Sequence, residues 1–168
     1  MVDGFTLRQF RPYDSERIWE LHEEAMRDVD ALADGSVFAE VLPDDEELDE
    51  DLRAIQETYI EPGGEFLVGE LDGKIVAMGA FKPVDSSVAE IKRMRVDPDH
   101  QRQGYGQQML DTLEANAIEC GFTEFILDTT ARQTGARHFY KENGYRETRR
   151  ETIGEYEMIF YRKSTETN

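Results

Sequence analysis

The segment Glu90–Leu113, EIKRMRVDPDHQRQGYGQQMLDTL, narrows the folds open to this chain more than any other. It reads as a strand, a loop with two closely spaced glycines, and a helix. Arg95-Val96 ends the strand and Pro98 closes it, because proline cannot donate to a sheet ladder. Gln101-Arg102-Gln103-Gly104-Tyr105-Gly106 forms the loop. Leu110, Leu113 and Ala117 then recur at three- and four-residue steps, the spacing of a helix face. A glycine loop that feeds a helix turns several backbone N–H groups toward one point, where the positive end of the helix dipole also lies. Such a nest binds an anion, most often a phosphate or pyrophosphate.

Three phosphate loops compete for this pattern. A P-loop needs G-x-x-x-x-G-K-S/T, and neither Lys nor Ser/Thr follows these glycines. A Rossmann loop needs G-x-G-x-x-G; Gly104 and Gly106 fit, but Met109 holds the third position, and the unit lies well past mid-chain. The third pattern, Q/R-x-x-G-x-G/A, is matched by Gln101, Gly104 and Gly106. A second stretch follows at a fitting distance. Phe125-Ile126-Leu127-Asp128-Thr129 reads as a strand, and Ala136 to Tyr145 then matches A-x-x-x-Y-x-x-x-G-F/Y, with Gly144 suited to the C′ position that ends a helix. On these two blocks the chain resembles the GNAT superfamily of acyl-CoA-dependent N-acetyltransferases. The plainer alternative is an ordinary strand-to-helix turn that uses glycine for its left-handed dihedrals.

The resemblance implies an α/β fold of the GNAT-like acyl-CoA N-acyltransferase type, with a mostly antiparallel central sheet and helices on both faces. It covers nearly the whole chain, as one domain over residues 1–168. It implies acetyl-CoA as co-substrate and no metal. The pyrophosphate would lie on the loop formed by Gln101, Arg102, Gln103, Gly104, Tyr105, Gly106 and Gln107, and the pantetheine arm along Met94, Arg95 and Val96. A main-chain N–H of that strand would stabilise the oxyanion. Gln133 stands seven residues before Tyr140, where many relatives have an asparagine that touches the pantetheine. Tyr140 occupies the family's tyrosine position, touching the cofactor and serving as the acid that protonates the leaving thiolate. Its alternative is a helix tyrosine packed on the sheet. Glu90 is the candidate base, or else a solvated charge. Strand alternation puts Glu90, Lys92, Met94 and Val96 on one face unless a bulge intervenes. Arg93 and Arg95 either receive a substrate carboxylate or pair with nearby acids, and Arg102 either pairs with a CoA phosphate or points into solvent.

Composition bounds the rest. Of 168 residues, 37 are Asp or Glu and 19 are Lys or Arg, giving a net charge of −18. Such a chain lacks the basic face a nucleic-acid partner requires. An acidic surface with only five lysines against 14 arginines resembles proteins of salt-accumulating halophiles, in which salt screens the repulsion. The other reading is a preference for cationic partners. One cysteine excludes an internal disulfide, and Cys120, beside Gly121, is expected as a small buried filler. No long apolar run or leader is apparent, so a cytoplasmic, membrane-free protein is expected, with a homodimer possible. His22, His100 and His138 are isolated in sequence.

The remaining elements follow from periodicity. Phe5 to Phe10 alternates as a first strand, with Phe5, Leu7 and Gln9 on one face. A helix begins near Asp14 or Ser15 with Ile18, Leu21, Ala25, Val29 and Leu32 as its stripe and Trp19 off centre. After a loop at Asp34-Gly35, a second helix starts at 43–47 with a capping box and buries Leu48, Leu52, Ile55 and Tyr59. Strands at 65–71 and 74–82 join at Asp72-Gly73. A helix over 105–120, a strand over 123–129, a helix over 134–143 and strands over 145–151 and 154–162 complete the chain. The expected function is acetyl transfer to a primary amine, first of a small molecule. Alternatives are a protein N-terminal or lysine acetyltransferase and a non-catalytic acyl-CoA-binding module; an NAD oxidoreductase is the weakest reading.

Overall fold

The computed structural model describes residues 4–32, 50–154 and 156–165, with backbone alone over 25–32. In chain order the elements are β1 (Phe5–Gln9), α1 (Ser15–Leu32), α2 (Glu50–Arg53), β2 (Glu65–Leu71), β3 (Lys74–Pro83), β4 (Val88–Val96), α3 (Tyr105–Glu119), β5 (Glu124–Thr130), α4 (Thr134–Glu142), β6 (Arg146–Ile153) and β7 (Tyr156–Ser164). The side chains of Ala25, Val29 and Leu32, the Asp34-Gly35 loop, the helix start and cap at 43–47, and Leu48 lie outside the described residues. Beyond Arg53 the expected second helix widens irregularly. Gln56–Ile60 forms a π-turn, closed where Glu61 N–H donates to the Gln56 carbonyl at 2.9 Å.

The strands form one sheet in the order β1-β2-β3-β4-β5-β7-β6. Every pairing is antiparallel except β4 with β5. Alternation along the strands sends side chains to two cores. On one face Leu67, Val76, Phe81, Ile91, Phe125, Leu127 and Ile159 pack against Met109, Leu110, Leu113 and Ala117 of α3 and Tyr140 of α4. On the other, Phe66, Val68, Met78 and Ala80 pack against Ile18 and Leu21 of α1, Leu52 of α2, and Ile55 and Tyr59. Each fully buried side chain of this size contributes about 1.5–3 kcal/mol. Trp19 packs half-buried at the edge of this second core, with the Arg53 guanidinium 5.1 Å from its ring. Phe5 and Leu7 face the first core as expected, and Gln9 is exposed.

A bulge interrupts β4. Met78 faces Arg95 and Ala80 faces Lys92, so Arg93 and Met94 together oppose Gly79. Arg93 adopts φ 60°, and Gly79 leaves room for the displaced side chain: a Cβ there would meet Met94 Sδ and Met109 Cγ at 2.8 Å. Ala89, Ile91, Met94 and Val96 therefore share the α3 face. Uninterrupted alternation would place Glu90, Lys92, Met94 and Val96 together. The extra residue separates them, leaving Glu90 and Lys92 on the opposite face.

The bulge residue is anchored. Arg93 donates to Asp51 through Nε at 2.9 Å and through its terminal nitrogen at 2.6 Å, and Tyr59 Oη donates to the same carboxylate at 2.5 Å. Burial pushes the Asp51 carboxyl up, but the Arg93 guanidinium and the Tyr59 hydroxyl outweigh it and hold the group below its ordinary value. The same burial and the carboxylate push the Tyr59 hydroxyl up.

Cys120 corrects another expectation. It is exposed at the C-cap of α3, because Ala117 and Phe122 on either side take the buried places. The edge strand β6 is exposed along its length and carries Arg146, Glu147, Arg149, Arg150 and Glu151, a charge pattern that discourages edge-to-edge aggregation. Among the described residues no helix is long and apolar enough to cross a membrane.

Replacing Arg93 with Met should cost about 3 kcal/mol by leaving Asp51 charged and unpaired in a poorly hydrated site. In the parent, a depressed Asp51 adds stability that is present above its unfolded value near ~3.9 and lost as pH falls through its lower folded value. Urea denaturation between pH 7 and 3 should therefore show a flatter acid limb in R93M than in the parent.

Candidate active site

The described site lies where β4 and β5 part company. They pair only at Val88–Glu124, Ala89–Phe125 and Glu90–Ile126. Beyond that point β4 continues to Val96 along β3, and β5 continues to Thr130 along β7. Past Glu90 the edge of β4 that faced β5 has no strand partner, so Met94, Arg95 and Val96 present main-chain groups to the opening. The glycine loop stands at the end of β4.

Within that loop Arg102 has φ 63° and Gly104 φ 86°, and Gly104 is the N-cap of α3. Among the described residues nothing accepts from the N–H groups of residues 102–107. The first turn of α3 carries no acid, although acids outnumber bases almost two to one in the chain. Six unspent amides at the positive end of a 15-residue helix, in open space, fit a pyrophosphate.

Neighbouring groups fix this loop. Asp97 accepts from Asp99 N–H at 3.0 Å and from Arg17 at 3.0 Å, while Arg17 Nε also donates to the Ile75 carbonyl at 2.9 Å. Burial raises the Asp97 carboxyl, but the Asp99 amide and the charges of His100, Arg17 and Lys74 together lower it. Gln101 Nε2 donates to the Val96 carbonyl at 3.3 Å. The Tyr105 ring is buried and stacks on Phe5, with centroids 4.1 Å apart, so its amide rather than its ring is available to the loop. Gln107 exchanges amide hydrogen bonds with Asn143 at 2.6 and 3.1 Å, tying the start of α3 to the end of α4. Arg102 and Gln103 are exposed.

The tie through Asn143 also positions Tyr140. Its ring packs edge-on against Phe139 and Tyr145 at 5.2 and 5.7 Å and is 8% exposed. Burial pushes its hydroxyl up, Arg95 opposes this, and Asp128 adds to it. The phenol is protonated across the neutral range, as a proton donor must be. Arg95 also donates to the Met94 carbonyl at 3.0 Å. Gln133 is the N-cap of α4, and its Oε1 accepts from Thr130 N–H at 2.9 Å, closing the turn at the end of β5.

The structure therefore ties the 101–107 loop to the helix of Tyr140 through Gln107 and Asn143, brings Tyr140 within the field of Arg95 on β4, and puts Gln133 at the start of that same helix. Glu90 belongs to the last β4–β5 pair, at the root of the cleft on the opposite sheet face. Arg93 turns away to Asp51. His138 is exposed beside Glu142 at 2.9 Å, and His100 stands 3.6 Å from Asp97. Sequence reading passed over Asp128, Lys92 and the Gln107–Asn143 clamp. Asp128 is open to solvent, yet its surroundings are crowded enough that lost hydration raises its carboxyl, against an opposing pull from Lys92. Its one sequence signal is an acid at the polar alternate of an otherwise apolar strand, Phe125-Ile126-Leu127-Asp128.

A family model described as the acetyltransferase (GNAT) family matches residues 15–145. N-acetyltransferase 8 of Homo sapiens is 34% identical over 104 residues, 58% of this chain and 46% of that protein. An amino-acid acetyltransferase of Azotobacter vinelandii is 30% identical over 132 residues, 77% of this chain and 28% of that protein. The chain thus spans less than half the length of these curated relatives. Among solved structures, a GNAT-family acetyltransferase from Staphylococcus aureus superposes with TM-score 0.80 at 20% identity, covering 96% of this chain and 99% of that one. The yncA protein of Salmonella typhimurium, solved with acetyl-CoA, superposes with TM-score 0.75 at 20% identity, covering 99% and 96%. These neighbours share the mixed sheet and its flanking helices.

The loop predicts an asymmetry between its glycines. Gly104→Ala should lose about 1–2 kcal/mol, since alanine strains at φ 86°. Gly106→Ala should change stability by less than about 0.5 kcal/mol, because its Cβ would meet Val96 Cγ2 at an ordinary 3.7 Å. Urea denaturation of both variants reads the difference.

Proposed function

The chain belongs to the GNAT family of acetyltransferases, and on that premise we propose that it moves an acetyl group from acetyl-CoA to a primary amine of a small molecule, by direct attack in a ternary complex. One observation carries this reading: six unpartnered amides stand beside an unpaired strand edge, where two parallel strands diverge. The amides of residues 102–107 would hold the pyrophosphate and the edge at Met94, Arg95 and Val96 the pantetheine arm. Arg102, in the left-handed region and exposed, is free to reach a CoA phosphate. Acetyl-CoA supplies an activated acyl group as a thioester.

The chain's residues meet the other needs of the reaction. Main-chain N–H groups on the free edge of β4 are set in place before charge develops on the carbonyl oxygen. Tyr140, protonated at neutral pH and held at the cleft wall, donates to the departing sulfur. The acceptor must shed a proton, because an alkylammonium near ~10.4 is mostly charged at neutral pH. The name of the Azotobacter relative supports an amino-acid-like amine as the first acceptor to try. The charge of −18 supports a place in a salt-rich cytoplasm and a preference for cationic substrates.

Thermal unfolding in high salt tests the cofactor. Acetyl-CoA and CoA at about a hundred times Kd should each raise the midpoint by on the order of 5–10 °C, and NAD and ATP should not. No shift with either CoA species would sink the proposal.

Tyr140→Phe should keep that midpoint shift while lowering kcat about 100-fold in a free-thiol assay with L-glutamate, spermidine and kanamycin as trial acceptors. Unchanged turnover would remove Tyr140 as the acid.

A further inference from the structure

We propose that Asp128 is the carboxylate that receives the acceptor's proton, on the sheet face opposite α3 and α4. The proposal rests on the acetyltransferase reading. Phe125 and Leu127 point into the α3 core, so alternation turns Ile126 and Asp128 to the other face. Glu90 faces that side too, but it lies in the last hydrogen-bonded row, level with Ile126 and Arg162. Asp128 is the first β5 residue on this face beyond that row, where the strands have opened. Lys92 is its counterpart on β4.

The surroundings of Asp128 separate it from the structural acids of this protein. Asp14, Asp51, Asp97 and Glu114 are each within hydrogen-bonding distance of an arginine or lysine. No described residue hydrogen-bonds or ion-pairs with Asp128. The charged group whose field reaches it is Lys92 on β4, which favours its ionised form. In the next strands its row continues to Phe160, whose ring lies 3.8 Å from the Arg149 guanidinium. The Asp128 charge in turn reaches Tyr140 on α4 and raises its hydroxyl. Acid and base thus lie on opposite faces of the sheet, Asp128 on β5 and Tyr140 on α4 against the α3 face.

The step balances as follows. An N–H bond of the substrate ammonium breaks and its proton goes to the Asp128 carboxylate, directly or through one water. The freed electron pair forms the N–C bond to the thioester carbonyl carbon, the C–S bond breaks, and the sulfur takes the Tyr140 proton. The second nitrogen proton returns through water to Tyr140, and Asp128 releases its proton to solvent. The products are an amide, a thiol and one proton.

The test pairs Asp128→Asn with two small acceptors at saturating acetyl-CoA. n-Butylamine is an ammonium at neutral pH and needs a base, whereas hydroxylamine is uncharged and does not. D128N should lose about 100-fold or more in kcat/KM on n-butylamine, along with the acidic limb of its pH profile, and stay within about tenfold of the parent on hydroxylamine. Its midpoint shift with CoA should be kept, which separates this claim from the cofactor claim. Equal losses on both amines would make the role structural, and an intact limb in D128N with its loss in Glu90→Gln would return the role to Glu90. A carbon-13 titration of the Asp128 carboxyl needs no acceptor. It should fall above the ordinary aspartate range and rise further in Lys92→Met; an ordinary value unmoved by K92M would overturn the proposal.

Discussion

The parting of β4 from β5 after three backbone pairs is the constraint on which the rest of this molecule depends. Parallel strands inside a sheet normally pair along their length, since each buried N–H and C=O needs a partner. Here β3 and β7 keep the outer edges of the two strands while their inner edges are released. With no strand between them, the diverging β4 takes partners from outside the ladder: Arg95 donates to the Met94 carbonyl and Gln101 to the Val96 carbonyl. The bulge at Arg93-Met94 lies within the diverging part of β4, where a local bend and added twist carry the strand away from its neighbour.

Holding two strands apart takes external anchors, and the scarce cations provide them. Arg93 ties the bulge to α2 through Asp51, and Arg17 ties the end of β4 to α1 through Asp97. Lys163 and Tyr145 meet on Glu114, at 2.8 and 2.6 Å, joining α3 to the strands beyond the cleft. Arginine suits such places because its planar fork satisfies both carboxylate oxygens at once, as Arg93 does on Asp51 and Arg8 on Asp14. The clamp between Gln107 and Asn143 is uncharged and links the glycine loop and the start of α3 to the helix that carries Tyr140.

Much of this was legible in the sequence, for local reasons. Glycines with left-handed dihedrals, the Asp72-Gly73 hairpin and helical apolar steps are encoded by adjacent residues, so the element order and the glycine loop followed from them. Tyr140 and Gln101 were singled out through spacing. Long-range register was not legible: nothing in EIKRMRV shows that Arg93 is the bulged residue, because the bulge depends on Gly79 opposite and Asp51 beyond. The faces of Glu90 and Met94 diverged from simple alternation for that reason. Asp128 escaped notice because a lone acid in a strand is ordinary until the strand beside it is known to leave. Cys120 was misplaced by one helical step, since Ala117 and Phe122 already fill the core there.

The acidity of the chain bears differently on folding and on the cleft. Repulsion among surface carboxylates acts through water and fades beyond a Debye length of about 10 Å at 0.1 M salt, so added salt relieves it. The exposed pairs on β6, such as Arg149 with Glu151, fade under the same screening. Asp128 is itself open to solvent, so salt also screens the pull of Lys92 on it, whereas the buried Tyr140 hydroxyl lies where screening is weak. Salt then stabilises the compact chain while leaving the buried Tyr140 hydroxyl nearly as it was. An acidic surface and a buried, protonated Tyr140 are compatible in one small domain because they sit in different dielectric surroundings.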